Sequence, residues 1–189
     1  MTLAIPNEQA ISPEWFNQCF ERCGIDAAVS GFEAERVGTG QIGKCIRYTL
    51  QYESAGENAP VSLVGKFPSD DESSRATGVA LQNFLKEVRF YQQLQSRLSI
   101  RTPRCYYAEI TGEGPEFFLL LEDLAPAQQG DQLQGCDAHA AEAALAQLVG
   151  LHAPSWCDPS LAQLPWLYNN ASRPATATLD LYRAQLPGF

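Results

Sequence analysis

Apolar residues near the start of the chain recur at the spacing of a helix. Five of them fall at intervals of three and four residues and so share one helix face: Trp15, Phe16, Cys19, Phe20 and Cys23. Ser12 is a favourable N-cap, Pro13 suits the first helical position, and Gly24 can end the helix. We therefore predict an amphipathic helix that begins after Ser12 and ends at Gly24.

Further along, the spacing changes to that of strands. Apolar and polar residues alternate over residues 44–52, which is the period of a strand with one buried face. A strand is also predicted at residues 32–37 and another at residues 61–67, before Pro68. The turn-forming residues of 53–60 predict a hairpin connection between the second strand and the third.

A second helical pattern follows the three strands. After a polar linker at residues 69–74, apolar residues recur at helical spacing until the chain approaches Pro103. We predict one long packed helix here, with an inner stripe formed by Leu81, Phe84, Leu85, Val88, Tyr91, Leu94 and Leu98. Two further strands are predicted at residues 104–110 and 117–121, joined by a turn that contains glycine and proline. Because the first strands have hairpin connections and no crossover helices, the predicted fold class is α+β with a five-stranded antiparallel sheet.

The rest of the chain is predicted to be mainly helical. Residues 125–131 form a connector that differs in composition from the strands before it. Asp137 is placed to cap a helix that runs through Leu151 and is ended by Pro154. The predicted inner face of this helix comprises Ala141, Ala144, Leu145, Leu148 and Val149. A short final helix is predicted near residues 178–186.

Composition and charge argue against several classes of function. The 189 residues carry a formal net charge of −9 and no run of Lys or Arg, unlike nucleic-acid and anionic-membrane surfaces. The N-terminus lacks a signal-peptide pattern, and no apolar segment approaches the roughly 20 residues that span a bilayer. We therefore expect a cytoplasmic protein. Cys19 and Cys23 lack a C-x-x-C or histidine partner pattern, so we expect buried small hydrophobic residues and no metal site.

Three glycines at residues 38–43 have the spacing G-x-G-x-x-G, which two unrelated phosphate-binding loops share. The glycine loop reads Gly38-Thr39-Gly40-Gln41-Ile42-Gly43. In a dinucleotide-binding loop a helix follows the third glycine directly, so that its N-terminus meets the pyrophosphate. A strand is predicted here instead, which argues against an NAD-dependent oxidoreductase. A loop between two strands is typical of kinase-like enzymes, in which glycine lets backbone N–H groups approach phosphate oxygens.

One lysine, Lys66, lies in an otherwise uncharged predicted strand. Such a lysine is either exposed at the edge of the sheet or held inward by an acidic partner. The candidate partner is Glu87, on the flank of the apolar stripe of the long helix. The alternative for Glu87 is a surface ion pair with Lys86 or Arg89. The order of glycine loop, strand lysine and helix glutamate favours phosphoryl transfer, in which a lysine neutralises phosphate charge.

With these residues in place, the chain resembles the aminoglycoside phosphotransferase and choline kinase-like superfamily, closest to its ecdysteroid kinase-like branch. The matching parts are the glycine loop, Lys66, Lys-Glu-Val-Arg-Phe-Tyr at 86–91, Phe-Leu-Leu-Leu-Glu-Asp-Leu at 118–124 and Leu-Val-Gly-Leu-His-Ala at 148–153. The resemblance implies a protein kinase-like fold. Residues 1–124 would form the N-terminal, ATP-binding lobe with its hinge, and residues 125–189 the incomplete start of a helical C-terminal lobe.

The resemblance also implies roles for individual residues. The glycine loop would cover the phosphates of ATP, Lys66 would contact the α- and β-phosphates, and Glu87 would hold Lys66 in place. The hinge would begin at Leu121, and the Glu122 carbonyl and the Leu124 N–H would face adenine. The implied partners are ATP and a small acceptor whose hydroxyl group receives the γ-phosphate.

Two patterns of the family do not occur in this sequence: a catalytic loop like His-Gly-Asp with an asparagine shortly after it, and an Asp-Trp segment that binds metal. We expect His139 to be exposed and His152 to be packed or to cap its helix. The chain is therefore expected to lack the catalytic base and the Mg²⁺ ligands of the complete enzyme, and to be inactive alone. The alternative is a non-catalytic nucleotide-binding or interaction module with a degenerate kinase fold. Apolar residues of the incomplete lobe would favour self-association: Leu145, Leu148, Trp156 and Trp166.

Overall fold

The computed structural model describes residues 3–38, 40, 42–128, 130–131, 133–167 and 175–186. The chain forms two compact units, residues 1–154 and residues 155–189. The boundary predicted from the sequence between a lobe of residues 1–124 and one of residues 125–189 stays a prediction.

Five strands in the first unit make one antiparallel sheet: β1 (Ala27–Val37), β2 (Gly43–Ala55), β3 (Ser62–Pro68), β4 (Cys105–Ile110) and β5 (Phe117–Glu122). Their order across the sheet is β1-β2-β3-β5-β4. The predicted α+β class is confirmed. Both β1 and β2 are longer than predicted, because the two strands pair along their whole length from Ala27 opposite Ala55 to Val37 opposite Cys45.

The first helix, α1 (Pro13–Cys23), has the predicted bounds. The Ser12 hydroxyl accepts a hydrogen bond from the Trp15 N–H at 3.3 Å, which satisfies one of the donors at the start of the helix. Gly24 ends the helix in the left-handed conformation, with φ of +67°. The predicted apolar face is buried, with Cys23 only partly so.

The buried face of α1 packs on one face of the sheet in a mainly aromatic core. Trp15 and Phe16 of α1 contact Phe118 of β5 and Tyr48 of β2, with ring centroids 5.4 Å apart in each pair. Gly65 of β3 lies beneath these rings, where an added Cβ would come within 2.8 Å of Tyr48 and 2.9 Å of Phe118. Glycine is needed in this strand because the two aromatic rings occupy the space of a side chain.

The predicted long helix is broken. It consists of α2 (Glu72–Ala80) and α3 (Asn83–Arg89), and α3 continues as a π-helical turn (Phe90–Leu94) and a 3₁₀ turn (Gln95–Arg97). Gln82 lies between the two helices with a left-handed φ of 56°. Leu81, which was expected in the inner stripe, is half exposed, so this part of the prediction is wrong.

The break lets α2 fold back against the side chain of Phe84. A Cβ at Gly78 would lie 2.3 Å from the Phe84 ring. In a straight helix, residues six positions apart do not meet, since only residues three and four apart are neighbours. Beyond the break, Phe84 and Val88 of the stripe form a second core with Leu119 on the sheet face opposite α1. Leu98, the last residue of the predicted stripe, lies outside the helix in an extended conformation, so this part of the prediction is also wrong.

The helix predicted from Asp137 is α4 (Ala138–Ser155), and the Asp137 carboxylate caps it by accepting a hydrogen bond from the Ala140 N–H at 2.8 Å. Pro154 lies inside the last turn, so it does not end the helix where we predicted. The predicted inner face is also wrong, because Leu145 and Val149 are 63% and 64% exposed.

Instead, α4 contacts the rest of its unit through polar and small residues. The Gly150 carbonyl accepts a hydrogen bond from the Ser99 N–H at 3.0 Å, and the Gln147 side chain accepts one from the Arg101 N–H at 3.1 Å. A Cβ at Gly150 would lie 2.6 Å from the backbone nitrogen of Ile100. Gly150 therefore allows the backbone of the segment after α3 to approach α4, which hydrophobic spacing does not reveal.

In the second unit, a 3₁₀ turn (Pro159–Gln163) is followed by a helix, α5 (Ala175–Gln185), that confirms the final predicted helix and begins earlier than expected. Trp166 is buried and Trp156 is exposed. The prediction that the apolar residues of this region are exposed is thus right for Trp156 and wrong for Trp166.

Candidate functional site

The sheet face opposite α1 carries the candidate site. Lys66 of β3 lies directly between Cys45 of β2 and Leu119 of β5 in the strand register. Two residues earlier, Val64 is paired with Leu121 of β5. Because residues that are directly opposite in paired strands, and residues two apart in one strand, share a face, these side chains lie on one surface.

Lys66 is held on this surface by Glu87 of α3. The Lys66 Nζ lies 2.7 Å from both carboxylate oxygens of Glu87, and the two side chains are about one-third exposed. The structure therefore brings the predicted pair together. On its own helix, the Lys86 Nζ donates to the Leu81 carbonyl and the Arg89 guanidinium donates to Gln92.

The glycine loop lies beside the stem of Lys66. At Gly43 a Cβ would come within 3.2 Å of the Lys66 Cε and 3.1 Å of the Phe67 carbonyl oxygen, and at Gly40 within 2.5 Å of the Gly43 carbonyl oxygen. Gly38 has a φ of +73°, a conformation that favours glycine. The backbone at Gly40 and Gly43 therefore leaves no room for a side chain. Thr39 and Gln41 lie outside the described residues.

Ile42 anchors the far end of the glycine loop to α2. Its carbonyl accepts a hydrogen bond from the Ser69 N–H at 3.2 Å. Its side chain packs over Gly78, where a Cβ would lie 2.8 Å from the Ile42 Cγ2. The break between α2 and α3 thus places α2 beneath the loop, and the sequence analysis did not predict this contact.

Charged residues on both sides of the glycine loop meet at Asp70. Lys44 directly after the loop lies 2.6 Å from the Asp70 carboxylate and 2.5 Å from Glu8, and Arg36 before the loop lies 3.7 Å from Asp70. Sequence reasoning missed this cluster. The position of Lys44 could have been predicted, because Lys44 is two and four residues before the buried Ile46 and Tyr48 and so lies on the same face of β2.

The residues predicted as a hinge lie at the end of β5 and directly after it, and Leu121 is on the same surface as Val64. Leu121 is buried, and Leu124 is 45% exposed. The Glu122 carboxylate accepts hydrogen bonds from Arg101 at 2.6 Å and from the Arg104 N–H at 2.9 Å, so its side chain is held by the segment that precedes β4. Asp123, between Glu122 and Leu124 in the sequence, forms an ion pair with Arg47 of β2 at 2.6 Å. The sequence analysis did not predict this contact.

The environment of Asp123 favours its ionised form. Burial opposes ionisation, but hydrogen bonds from Arg47, the Ala125 N–H and Ser62 outweigh it and lower the pKa of the carboxyl below its usual value. On the same surface, burial raises the pKa of the Cys45 thiol, while the nearby Lys66 opposes this rise. Burial also raises the pKa of Tyr91 to about 12. Asp123 is thus an anion and Cys45 and Tyr91 are neutral near pH 7.

We expect acid to destabilise the protein through Asp123. A carboxyl with a lowered pKa stabilises the folded state fully above its unfolded pKa of about 4, and this contribution is lost as the pH falls through the folded value. The free energy of unfolding, measured with urea between pH 2.5 and 6, should therefore fall at the acidic end. In Asp123→Asn the fall should be shallower; an identical pH profile for wild type and variant would contradict this assignment.

Other candidate groups of the sequence analysis have no place on this surface. His152 lies in the last turn of α4 and is exposed, so it is not packed, and the alternative that it caps the helix stays a prediction. His139 is exposed as predicted. Among the described residues, no three His, Cys, Asp or Glu side chains are grouped closely enough to hold a metal ion. In the same part of the chain, no helix has the length and apolar character needed to cross a membrane.

The sheet has five antiparallel strands, and its central strand carries a lysine that is paired to a helix glutamate beside a glycine loop. This arrangement defines the class of proteins with a kinase-like fold. Within this class, the model of the ecdysteroid kinase-like family matches residues 38–161, more than half of the chain. The protein belongs to the ecdysteroid kinase-like family, as the sequence analysis predicted, and this family suggests a kinase-like phosphotransferase. No curated protein gives a match to the chain.

Proposed function

We propose that this chain is the ATP-binding part of a phosphotransferase that moves the γ-phosphate of ATP to a hydroxyl group of a small molecule. The observation that carries the proposal is the contact of Lys66 with both carboxylate oxygens of Glu87 beside the glycine loop. A lysine held by one carboxylate keeps its position while its ammonium group stays available to other oxygens. Membership of the ecdysteroid kinase-like family supports the same chemistry.

On this proposal Lys66 and the glycine loop bind the phosphates. The Lys66 ammonium neutralises charge on the α- and β-phosphate oxygens, and Glu87 fixes its position. The loop residues contribute backbone N–H groups, because the close contacts at Gly40 and Gly43 leave no room for side chains there. Thr39 and Gln41 belong to the same proposed loop.

The base of ATP would lie further along the same surface. Val64 and Leu121 are paired in the sheet two residues from Lys66 and offer an apolar slot for a flat ring. At its end, the Glu122 carbonyl and the Leu124 N–H supply one acceptor and one donor for adenine. Bound Mg²⁺ would supply charge neutralisation for the phosphates, and we propose no residue of this chain as its ligand or as the catalytic base.

The second candidate function is a nucleotide-binding or interaction module without catalysis. Both candidates share ATP binding and differ in turnover, which we expect to be absent from this chain alone. Exposed apolar residues of α4 support the further proposal that the chain associates with itself: Leu145, Leu148 and Val149.

The first experiment is titration of the purified chain with ATP and, separately, with inorganic triphosphate, by isothermal calorimetry. We expect saturable binding of both ligands, with ATP bound more tightly because the base adds contacts. Incubation with ATP and a panel of small alcohols, followed by detection of ADP, tests turnover. Absence of binding of either ligand would overturn the proposal of an ATP site, and rapid ADP release would overturn the proposal that this chain is inactive alone.

A further inference from the structure

Asp123 is buried and fully engaged, although it lies in a short connecting segment. Its side chain is 5% exposed. Its carboxylate accepts hydrogen bonds from the Arg47 Nε at 2.6 Å and Nη2 at 3.3 Å, from the Ser62 hydroxyl at 2.8 Å and from the Ala125 N–H at 3.0 Å. A buried carboxylate with charge-assisted bonds on both oxygens is held in one orientation.

The donors come from different parts of the sheet. Arg47 lies in β2 and also donates to Glu35 of β1 at 2.8 Å, and Ser62 is the first residue of β3. Ala125 is two residues further along the chain, so its bond to Asp123 closes a turn. Through one carboxylate, the segment after β5 is therefore tied directly to β2 and β3, and Arg47 extends this link to β1.

We propose that Asp123 is a positioning residue that fixes the backbone of its neighbours Glu122 and Leu124 relative to the surface that carries Lys66. This inference rests on the proposed function, in which that backbone contacts adenine. The side-chain donors to Asp123 are Arg47 and Ser62, and we assign Asp123 no contact with the nucleotide. Asp123 acts on geometry. The Glu122 carbonyl and the Leu124 N–H belong to the residues on either side of it, so both groups shift when the hydrogen bonds of the Asp123 carboxylate are lost.

A purely stabilising role is the competing explanation, and it makes a different prediction. Buried ion pairs contribute little net stability compared with apolar residues of similar volume. Stability alone is therefore a weak explanation for the presence of the Asp123–Arg47 pair. If Asp123 only stabilises the fold, its replacement should weaken the binding of all ligands of this surface equally. If Asp123 positions the backbone, its replacement should weaken the binding of ligands that contain adenine. The binding of inorganic triphosphate, which needs only Lys66 and the glycine loop, should stay unchanged.

The test compares Asp123→Asn with Asp180→Asn, a control that removes a carboxylate from an exposed ion pair with Arg183. For Asp123→Asn we expect the Kd of ATP to rise about tenfold, the equivalent of one charge-assisted hydrogen bond, and that of triphosphate to change less than about twofold. The control should leave both constants unchanged. Arg47→Lys keeps the cation but loses the second donor, so it should give a smaller selective loss, and it replaces Asp123→Asn if that variant does not fold.

Amide hydrogen exchange without nucleotide tests the positioning itself. In Asp123→Asn, exchange should accelerate at residues 122–125 and stay unchanged in β2 and β3. Unchanged exchange at residues 122–125, or equal weakening of ATP and triphosphate, would overturn the role of Asp123. If the wild type binds neither ligand, the proposed function fails, and the exchange experiment still decides whether Asp123 holds this segment.

Discussion

Replacing Lys66 with methionine is expected to weaken ATP binding by about 10- to 100-fold, the loss of a hydrogen bond to a charged group in a partly buried site. Methionine keeps most of the apolar stem that lies beside Gly43, so the strand and the loop should keep their places. What is lost is the ammonium group that Glu87 holds at 2.7 Å. Calorimetric titration with ATP and with inorganic triphosphate measures the effect, and both ligands should be weakened.

Lys86→Met is the matched control for Lys66→Met. Lys86 precedes Glu87 on the same helix, and its ammonium group donates to the Leu81 carbonyl instead of facing the sheet surface. This variant removes the same charge from the protein and should bind ATP like the wild type. Equal affinity of Lys66→Met and the wild type would show that the surface around Lys66 is not the phosphate site.

The largest effect on stability is expected for Phe118→Ala, which should lower the free energy of unfolding by about 3–5 kcal/mol. Phe118 is fully buried, and its ring contacts Phe67 at 4.5 Å, Trp15 at 5.4 Å and Tyr107 at 5.8 Å between centroids. Removal of the ring leaves a cavity between the sheet and α1 that these neighbours cannot fill. Because domains are stable by roughly 5–15 kcal/mol, much of the variant should be unfolded at moderate urea concentrations.

Urea denaturation monitored by tryptophan fluorescence measures this loss. Leu133→Ala serves as the control, since Leu133 is 98% exposed and its replacement should change the free energy of unfolding by less than about 0.5 kcal/mol. A loss below about 1 kcal/mol for Phe118→Ala would mean that the aromatic core between α1 and the sheet is not packed as described.

Local patterns predicted those elements in which one face alone is buried. α1 follows directly from its cap at Ser12, its apolar spacing and Gly24. The alternation in β2 likewise predicted which side chains face the core. The order of glycine loop, Lys66 and Glu87 predicted a pair that the structure brings together, because a strand lysine without a partner on a buried face is unfavourable.

Where the apolar spacing predicted the helices wrongly, the cause is contacts between residues that are distant in the sequence. The break at Gln82 depends on the packing of Gly78 against Phe84, and α4 contacts its unit through Gly150 because the backbone at Ile100 passes close by. Apolar spacing describes how one helix is patterned and says nothing about where a neighbouring backbone crosses it.

By itself, the sequence determined the fold class, the family and the residues Lys66 and Glu87, because each depends on residue type and order along the chain. Only the tertiary structure showed that Arg47 of β2 meets Asp123 at the end of β5 and that Asp70 joins both sides of the glycine loop. These ion pairs link residues far apart in sequence, and a charged residue on a strand has many equally plausible partners until the strands are placed side by side.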